Sequence, residues 1–370
     1  MHPKSNTRLE QLRDAGVSVW LDTLSRELLE SGEFSELVRD YAVSGATSNP
    51  TIFAKAITGS DRYDDQLRSL ASDGPPDIRE LFFAIALDDV RSAAAILRPV
   101  HDRTGGGDGF ISFECTPDLA DDTEGTIAQA LDLWQRLDLP NVLIKVPATS
   151  AGVGAIEELT ARGVNVNVTL LFSVERYEEV IEAYLGGFER RAAAGEPIDG
   201  ISSVASFFVS RVDAKADAAL PPDSPLRGRV AIANAHLAYG RYLERFAGAR
   251  WEALQGAGAT VQRPLWASTA TKDPSYSDVL YVEQLIAPGV INTMPDKTLR
   301  AFAEHGNAKR ALGSDLGAAK AVLSAAAAEG VNLKRITRAL EHEGVKAFFD
   351  SYRQLVDCIE AKVSRAALVR

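Results

Sequence analysis

Apolar residues recur along this chain with two alternating periods. Val17-Ser18-Val19-Trp20-Leu21-Asp22 alternates as a strand, with Ser18, Trp20 and Asp22 on one face. Similar short strands are predicted at Val43 to Ala46, Phe110 to Glu114, Asn141 to Pro147, Val164 to Thr169, Ser203 to Phe208, Pro264 to Ser268 and Val290 to Thr293. Helical periodicity fills the intervals: Leu9 to Ala15, Thr23 to Ser31, Phe34 to Tyr41, Asp61 to Leu70, Asp77 to Leu97 and Asp122 to Leu137. Gly74-Pro75-Pro76 divides the fourth of these from the fifth. Ser150 to Leu159, with Ser150 as N-cap, Ser173 to Ala193 and Leu226 to Phe246 follow. The C-terminal part reads as helices at Asp296 to His305, Asp315 to Glu329, Leu333 to His342 and Gly344 to Lys362.

Eight short strands separated by helices predict an α/β chain folded as a single (β/α)₈ TIM barrel, with extra helices in inserts and at the C-terminus. The competing architecture is an open doubly wound sheet, but the first strand–helix turn lacks a Gly-rich dinucleotide fingerprint. Gly105-Gly106-Gly107-Asp108-Gly109 precedes a strand and reads as a flexible turn, not a phosphate loop. No repeat, low-complexity segment or Pro/Ser linker interrupts residues 1–370, so one domain is expected.

Composition narrows the function classes. Apolar residues make up 46% and charged residues 25%, an ordinary globular balance. A net charge of −11 argues against nucleic acid as a partner and requires a local cluster of cations for any anionic substrate. Two cysteines, Cys115 and Cys358, suit a reducing compartment. The first residues lack the apolar stretch of a signal peptide, and no run is long enough to span a membrane. A cytoplasmic location, with no membrane partner, is the expectation.

Candidate chemistry centres on Lys145. Val142, Ile144 and Val146 share one face of its strand, and Leu143 and Lys145 the other. A free Lys holds its proton to a pKa near ~10.4. Apolar surroundings disfavour the ammonium and leave an amine able to attack a carbonyl. The alternative is a strand-end Lys that snorkels to the rim. In a barrel the strand ends also gather Asp22, Asn49, Glu114, Asn167, Thr169, Ser206 and Ser268 at the C-terminal mouth. Singly, each has a structural reading: Asp22 as a helix cap, Asn49 as an Asx-turn, Ser268 as a loop hydroxyl. Together, one amine, two carboxylates and several neutral hydrogen-bonders suit Schiff-base chemistry, which needs a nucleophile, a proton shuttle and a base. The five histidines have no metal spacing, and no Walker loop, Gly-x-Ser-x-Gly elbow or Cys pair occurs. No metal and no nucleotide is indicated.

These stretches resemble the transaldolase family. The resemblance rests on Gly45-Ala46-Thr47-Ser48-Asn49-Pro50-Thr51, Leu143-Ile144-Lys145-Val146-Pro147-Ala148-Thr149 and Asn165-Val166-Asn167-Val168-Thr169-Leu170-Leu171-Phe172-Ser173. The Asp22 and Glu114 strands and the run from Ser206 to Arg211 add to it. It implies a cofactor-free transferase of the pentose phosphate pathway that binds small sugar phosphates. Such an enzyme moves a dihydroxyacetone unit from sedoheptulose 7-phosphate to glyceraldehyde 3-phosphate, giving erythrose 4-phosphate and fructose 6-phosphate. By the resemblance, Lys145 forms the Schiff base and Asp22 takes the C4 hydroxyl proton. Glu114 and Thr169 handle a catalytic water. Asn49 and Asn167 meet substrate hydroxyls with Thr47 and Ser206 in support, and Arg211 and Ser268 bind phosphate. Many members carry Ser-x-Arg after the seventh strand, whereas this chain reads Ser268-Thr269-Ala270-Thr271-Lys272. Lys272 is the candidate for the absent cation; the alternative is a solvent-facing Lys272 beside Asp273. Two other functions stay open: a fructose-6-phosphate aldolase-like enzyme, and a barrel that binds sugar phosphates without catalysis. The C-terminal helices pack either on the barrel or on a second copy in a homodimer.

Overall fold

Short segments rich in β-branched and aromatic residues form eight strands, and each is followed by enough chain for a helical crossover. The computed structural model describes residues 6–71, 77–309 and 311–368. The Gly74-Pro75-Pro76 break lies outside them. The strands are β1 Ser18–Leu21, β2 Val43–Thr47, β3 Ile111–Glu114, β4 Val142–Pro147, β5 Val166–Leu171, β6 Ser203–Phe208, β7 Gln262–Ala267 and β8 Ile291–Met294. All neighbours pair in parallel in chain order, and β8 pairs with β1 to close the barrel. That closure excludes the open-sheet alternative. Among the described residues, no helix is long and apolar enough to cross a membrane.

The glycine run at 105–109 is a turn, held at the N-terminal end of the barrel. Arg263 on β7 donates to the Gly107 carbonyl at 2.9 Å, and Trp20 Nε1 donates to Asp108 at 2.8 Å. At Gly109 φ is +88°, and a Cβ would meet the His101 backbone at 2.3 Å, so only glycine fits.

Several helix boundaries differ from the sequence pattern. Ser150 is not the N-cap of its helix, Ser150–Ala161. Thr149 is the cap, extended at φ −71° and ψ 169°, and its Oγ1 accepts from Gly152 N at 3.0 Å. The helix expected over Thr23 to Ser31 shrinks to Arg26–Glu30, with Ser25 as cap. Four helices fall where the pattern predicts loop: Pro50–Thr58, Ser210–Ala219, Ala249–Gly256 and Leu280–Gln284. In the first, Asn49 before Pro50 is extended, at φ −158° and ψ 168°. Asn49 Oδ1 then accepts from Ile52 N at 3.0 Å, so the strand-breaking proline also starts a helix.

The two C-terminal helices expected on either side of Glu343 are one helix, Leu333–Leu368. Gly344 marks a close approach and not a break. A Cβ there would come within 2.9 Å of Leu170 Cδ2. Leu170 lies in β5 at φ 58°, where the β5–β6 register slips. The helix therefore touches a bulged barrel strand, and its Leu355 and Ile359 are fully buried within this chain.

Candidate active site

The register of β3, β4 and β5 sets Glu114, Lys145 and Asn167 side by side. Lys145 is 4% exposed and Glu114 8%, so neither side chain reaches bulk water. Lys145 Nζ lies 3.3 Å from Glu114 Oε2 and donates to the Ser48 carbonyl at 3.1 Å. The apolar alternation of β4 does not describe the surroundings of this amine: on the inner face a carboxylate and a carbonyl take it. It does not snorkel to the rim.

Burial pushes the Glu114 carboxyl up to about 7; Lys145 opposes the rise and Asp22 adds to it. Glu114 can therefore both give and take a proton near neutral pH. Thr169, at the bulge end of β5, has a buried hydroxyl with no hydrogen-bond partner among the described residues. It faces the cavity, where a small polar molecule would satisfy it.

Asp22, just past β1, accepts from Thr47 Oγ1 at 2.8 Å, and Thr47 Oγ1 lies 2.9 Å from Thr293 Oγ1. Burial raises the Asp22 carboxyl above the usual aspartate range. Lys145, the Thr47 hydrogen bond, Arg211 and Lys272 pull it back down. Its field thus comes from cations on both sides of the mouth.

These groups open on one cavity of about 320 Å³. All the expected site residues line it except Glu114 and Asn167. Asn167 is fully buried behind the wall, where Nδ2 donates to Ser112 Oγ at 2.8 Å and Oδ1 accepts from Ser206 Oγ at 2.7 Å. Its amide presents Ser206 to the cavity. Asn49 spends its oxygen on the helix cap and turns to the cavity beside it. Arg211, Ser268, Ala270 and Lys272 line the same cavity. Ser268 has φ 56°, a left-handed backbone that non-glycine residues adopt only where the surroundings hold it, and its Oγ lies 2.9 Å from Ser210 Oγ. Burial lowers both cations, Arg211 and Lys272, and Arg211 further lowers Lys272.

Phe348, Lys55, Phe208 and Thr293 are among the lining residues that the sequence pattern misses. Phe348 comes from the C-terminal helix, with its ring centroid 5.8 Å from Lys145 Nζ, and no local signal points to it. Lys55 sits on the unforeseen helix Pro50–Thr58, and Phe208 ends β6. Thr293, near the end of β8, could have been found by the same strand-end reasoning that found Thr169. Among the described residues, no group of three or more His, Cys, Asp or Glu side chains is placed to hold a metal ion.

The closed (β/α)₈ barrel thus gathers an amine, two carboxylates, an unpartnered hydroxyl and two cations around one cavity, a set whose chemistry suits a carbonyl compound that carries an anion. The chain belongs to the transaldolase/fructose-6-phosphate aldolase family, whose model matches residues 19–359. It is 48% identical over 364 residues to a transaldolase of Frankia alni, covering 97% of this chain and 98% of that protein. A transaldolase of a Parafrankia species is 49% identical, covering 97% and 99%. One of Saccharopolyspora erythraea is 48% identical, covering 98% and 99%.

Proposed function

We propose that this chain is a transaldolase of the pentose phosphate pathway, a transferase that moves a dihydroxyacetone unit between sugar phosphates through a Schiff base on Lys145. The observation that carries this reading is the buried Lys145–Glu114 pair, with Lys145 and Asp22 lining one cavity. The Lys145 amine attacks C2 of the ketose phosphate. Glu114 protonates the departing hydroxyl, and Thr169 holds the water that leaves. The resulting imine accepts the electron pair of the C3–C4 bond when Asp22 removes the C4 hydroxyl proton, so an aldose phosphate departs. The enamine then attacks the aldehyde carbon of the acceptor, Asp22 returns its proton to the new hydroxyl, and water regenerates the amine. Arg211, Ser268 and Lys272 hold the phosphate; Asn49, Thr47 and Ser206 meet hydroxyls, and Asn167 acts through Ser206.

Residues 1–370 act as a single domain in this reading. A cytoplasmic location is part of the same reading, supported by two free cysteines. A homodimer is part of the reading and is tested by light scattering.

The deciding experiment is a coupled assay with sedoheptulose 7-phosphate, run with and without glyceraldehyde 3-phosphate. A transferase turns over erythrose 4-phosphate only with the acceptor present, and without it releases at most one equivalent per site. Release of free dihydroxyacetone at the same rate without acceptor makes it an aldolase, and no turnover in either arm makes it a binder.

A further inference from the structure

The helix Ser210–Ala219 begins with the Arg211 that faces the cavity, and it carries two buried carboxylates that the mechanism does not use. At ~100° per residue, Asp213 and Asp217 share a face turned away from Arg211. One oxygen of each satisfies backbone at the start of the next helix: Asp213 Oδ1 accepts from Ala231 N at 2.7 Å, and Asp217 Oδ1 from Gly228 N at 3.0 Å. Capping explains those two oxygens alone. The other two go elsewhere: Asp213 Oδ2 accepts from Tyr281 OH at 2.9 Å, and Asp217 Oδ2 from Tyr276 OH at 2.8 Å.

Both tyrosines belong to the segment between β7 and β8, the same segment that carries Ser268, Ala270 and Lys272. Arg227 adds to the link, since Nη1 donates to the Asp217 carbonyl at 2.7 Å and Nη2 lies 3.7 Å from Asp273 Oδ2. At its start the segment is joined to the helix by Ser210 N donating to the Ser268 carbonyl at 3.1 Å. Burial and the adjacent carboxylates push both phenols well up, so they stay donors at neutral pH. Burial, and then the like charge of Arg211, disfavour the Lys272 ammonium, so the two cations gain from a fixed spacing.

We propose that Asp213 and Asp217 are positioning residues for the phosphate end of the site. Through Tyr281 and Tyr276 they hold the β7–β8 segment so that Ser268 and Lys272 face Arg211 across the width of one phosphomonoester. The preference for phosphorylated sugars then depends on four side chains of which none of the oxygens so used touches the substrate. This rests on the phosphate role given above to Arg211 and Lys272.

The test compares Tyr276→Phe, Tyr281→Phe and the double variant, which remove only hydroxyls, with Arg211→Ala. Three quantities are read: KM and kcat for fructose 6-phosphate, inhibition by inorganic phosphate, and borohydride trapping of dihydroxyacetone at Lys145. The double variant is expected to raise KM for fructose 6-phosphate, and the inhibition constant of phosphate, by roughly fivefold to tenfold. Its kcat and dihydroxyacetone trapping should change less than about twofold, because the Lys145 end is untouched. If KM and trapping shift together, or neither moves while Arg211→Ala raises KM, the tether is refuted and the phosphate role stands. If Arg211→Ala leaves KM unchanged, the phosphate role falls and takes the tether with it.

Discussion

Lys145 Nζ lies 3.3 Å from Glu114 Oε2, a separation set by the direct pairing of these residues across β3 and β4. Asp22 reaches the cavity from the other side of the barrel and takes its hydrogen bond from Thr47. The two carboxylates therefore serve different bonds of the substrate, and their loss should stop the reaction at different steps. Asp22→Ala is expected to trap ketose phosphate under borohydride at a near-normal rate yet release little aldose. Glu114→Ala should slow imine formation itself, by roughly 10²–10⁴-fold. Single-turnover trapping compared with aldose release checks this. Equal trapping rates in the two variants would remove the division of labour.

Glu114 also predicts a pH dependence. Its carboxyl is raised from the ordinary 4.5 to about 7. The folded protein thus keeps a proton that the unfolded chain has lost, and stability falls as pH rises from 4.5 to about 7. Glu114→Gln cannot lose that proton. The melting temperature of the wild type relative to Glu114→Gln should therefore fall across this window and level off above it. Imine formation in the wild type should bend near pH 7, and the bend should vanish in the variant.

Ala270 and Lys272 both line the cavity, and the proposed mechanism gives Lys272 the place of the cation missing at Ala270. Lys272→Ala is expected to raise KM for ketose phosphates by roughly tenfold to a hundredfold, the value of one charge-assisted contact. Ala270→Arg should recover part of the loss, since a guanidinium forks onto phosphate where an ammonium is a point charge. Kinetics with unphosphorylated substrates provide the check, and they should hardly respond to either change. An equal effect on both classes would assign Lys272 to loop support.

Much of this was legible in the chain. Strand parity found Asp22, Glu114, Lys145 and Thr169 because a barrel turns alternate residues inward and collects strand ends at one mouth. Parity cannot tell a residue that lines the cavity from one behind it, which is why Asn167 was expected to touch substrate. It also carries no information on which distant helix reaches the cavity. The break expected between His342 and Gly344 is absent, and Gly344 answers to the distant Leu170, which only the fold brings close. Phe348 escaped for the same reason.

Phe348 covers the amine, so its size should control how long the enamine is kept from water. Phe348→Leu retains an apolar side chain in a helix pinned by the 2.7 Å Thr51–Ser351 hydrogen bond. The expected result is a higher ratio of free dihydroxyacetone to transferred product, with Lys145 trapping intact. Product ratios with limiting acceptor measure it. An unchanged ratio would make Phe348 packing alone.

The most direct test of the account is chemical capture at Lys145. The protein is incubated with fructose 6-phosphate and borohydride, digested, and the peptide containing Lys145 is weighed by mass spectrometry. The account predicts that this peptide gains the mass of the reduced adduct and that Lys145→Ala gains none. An unmodified Lys145 peptide, or equal labelling of the Lys145→Ala protein, would contradict it.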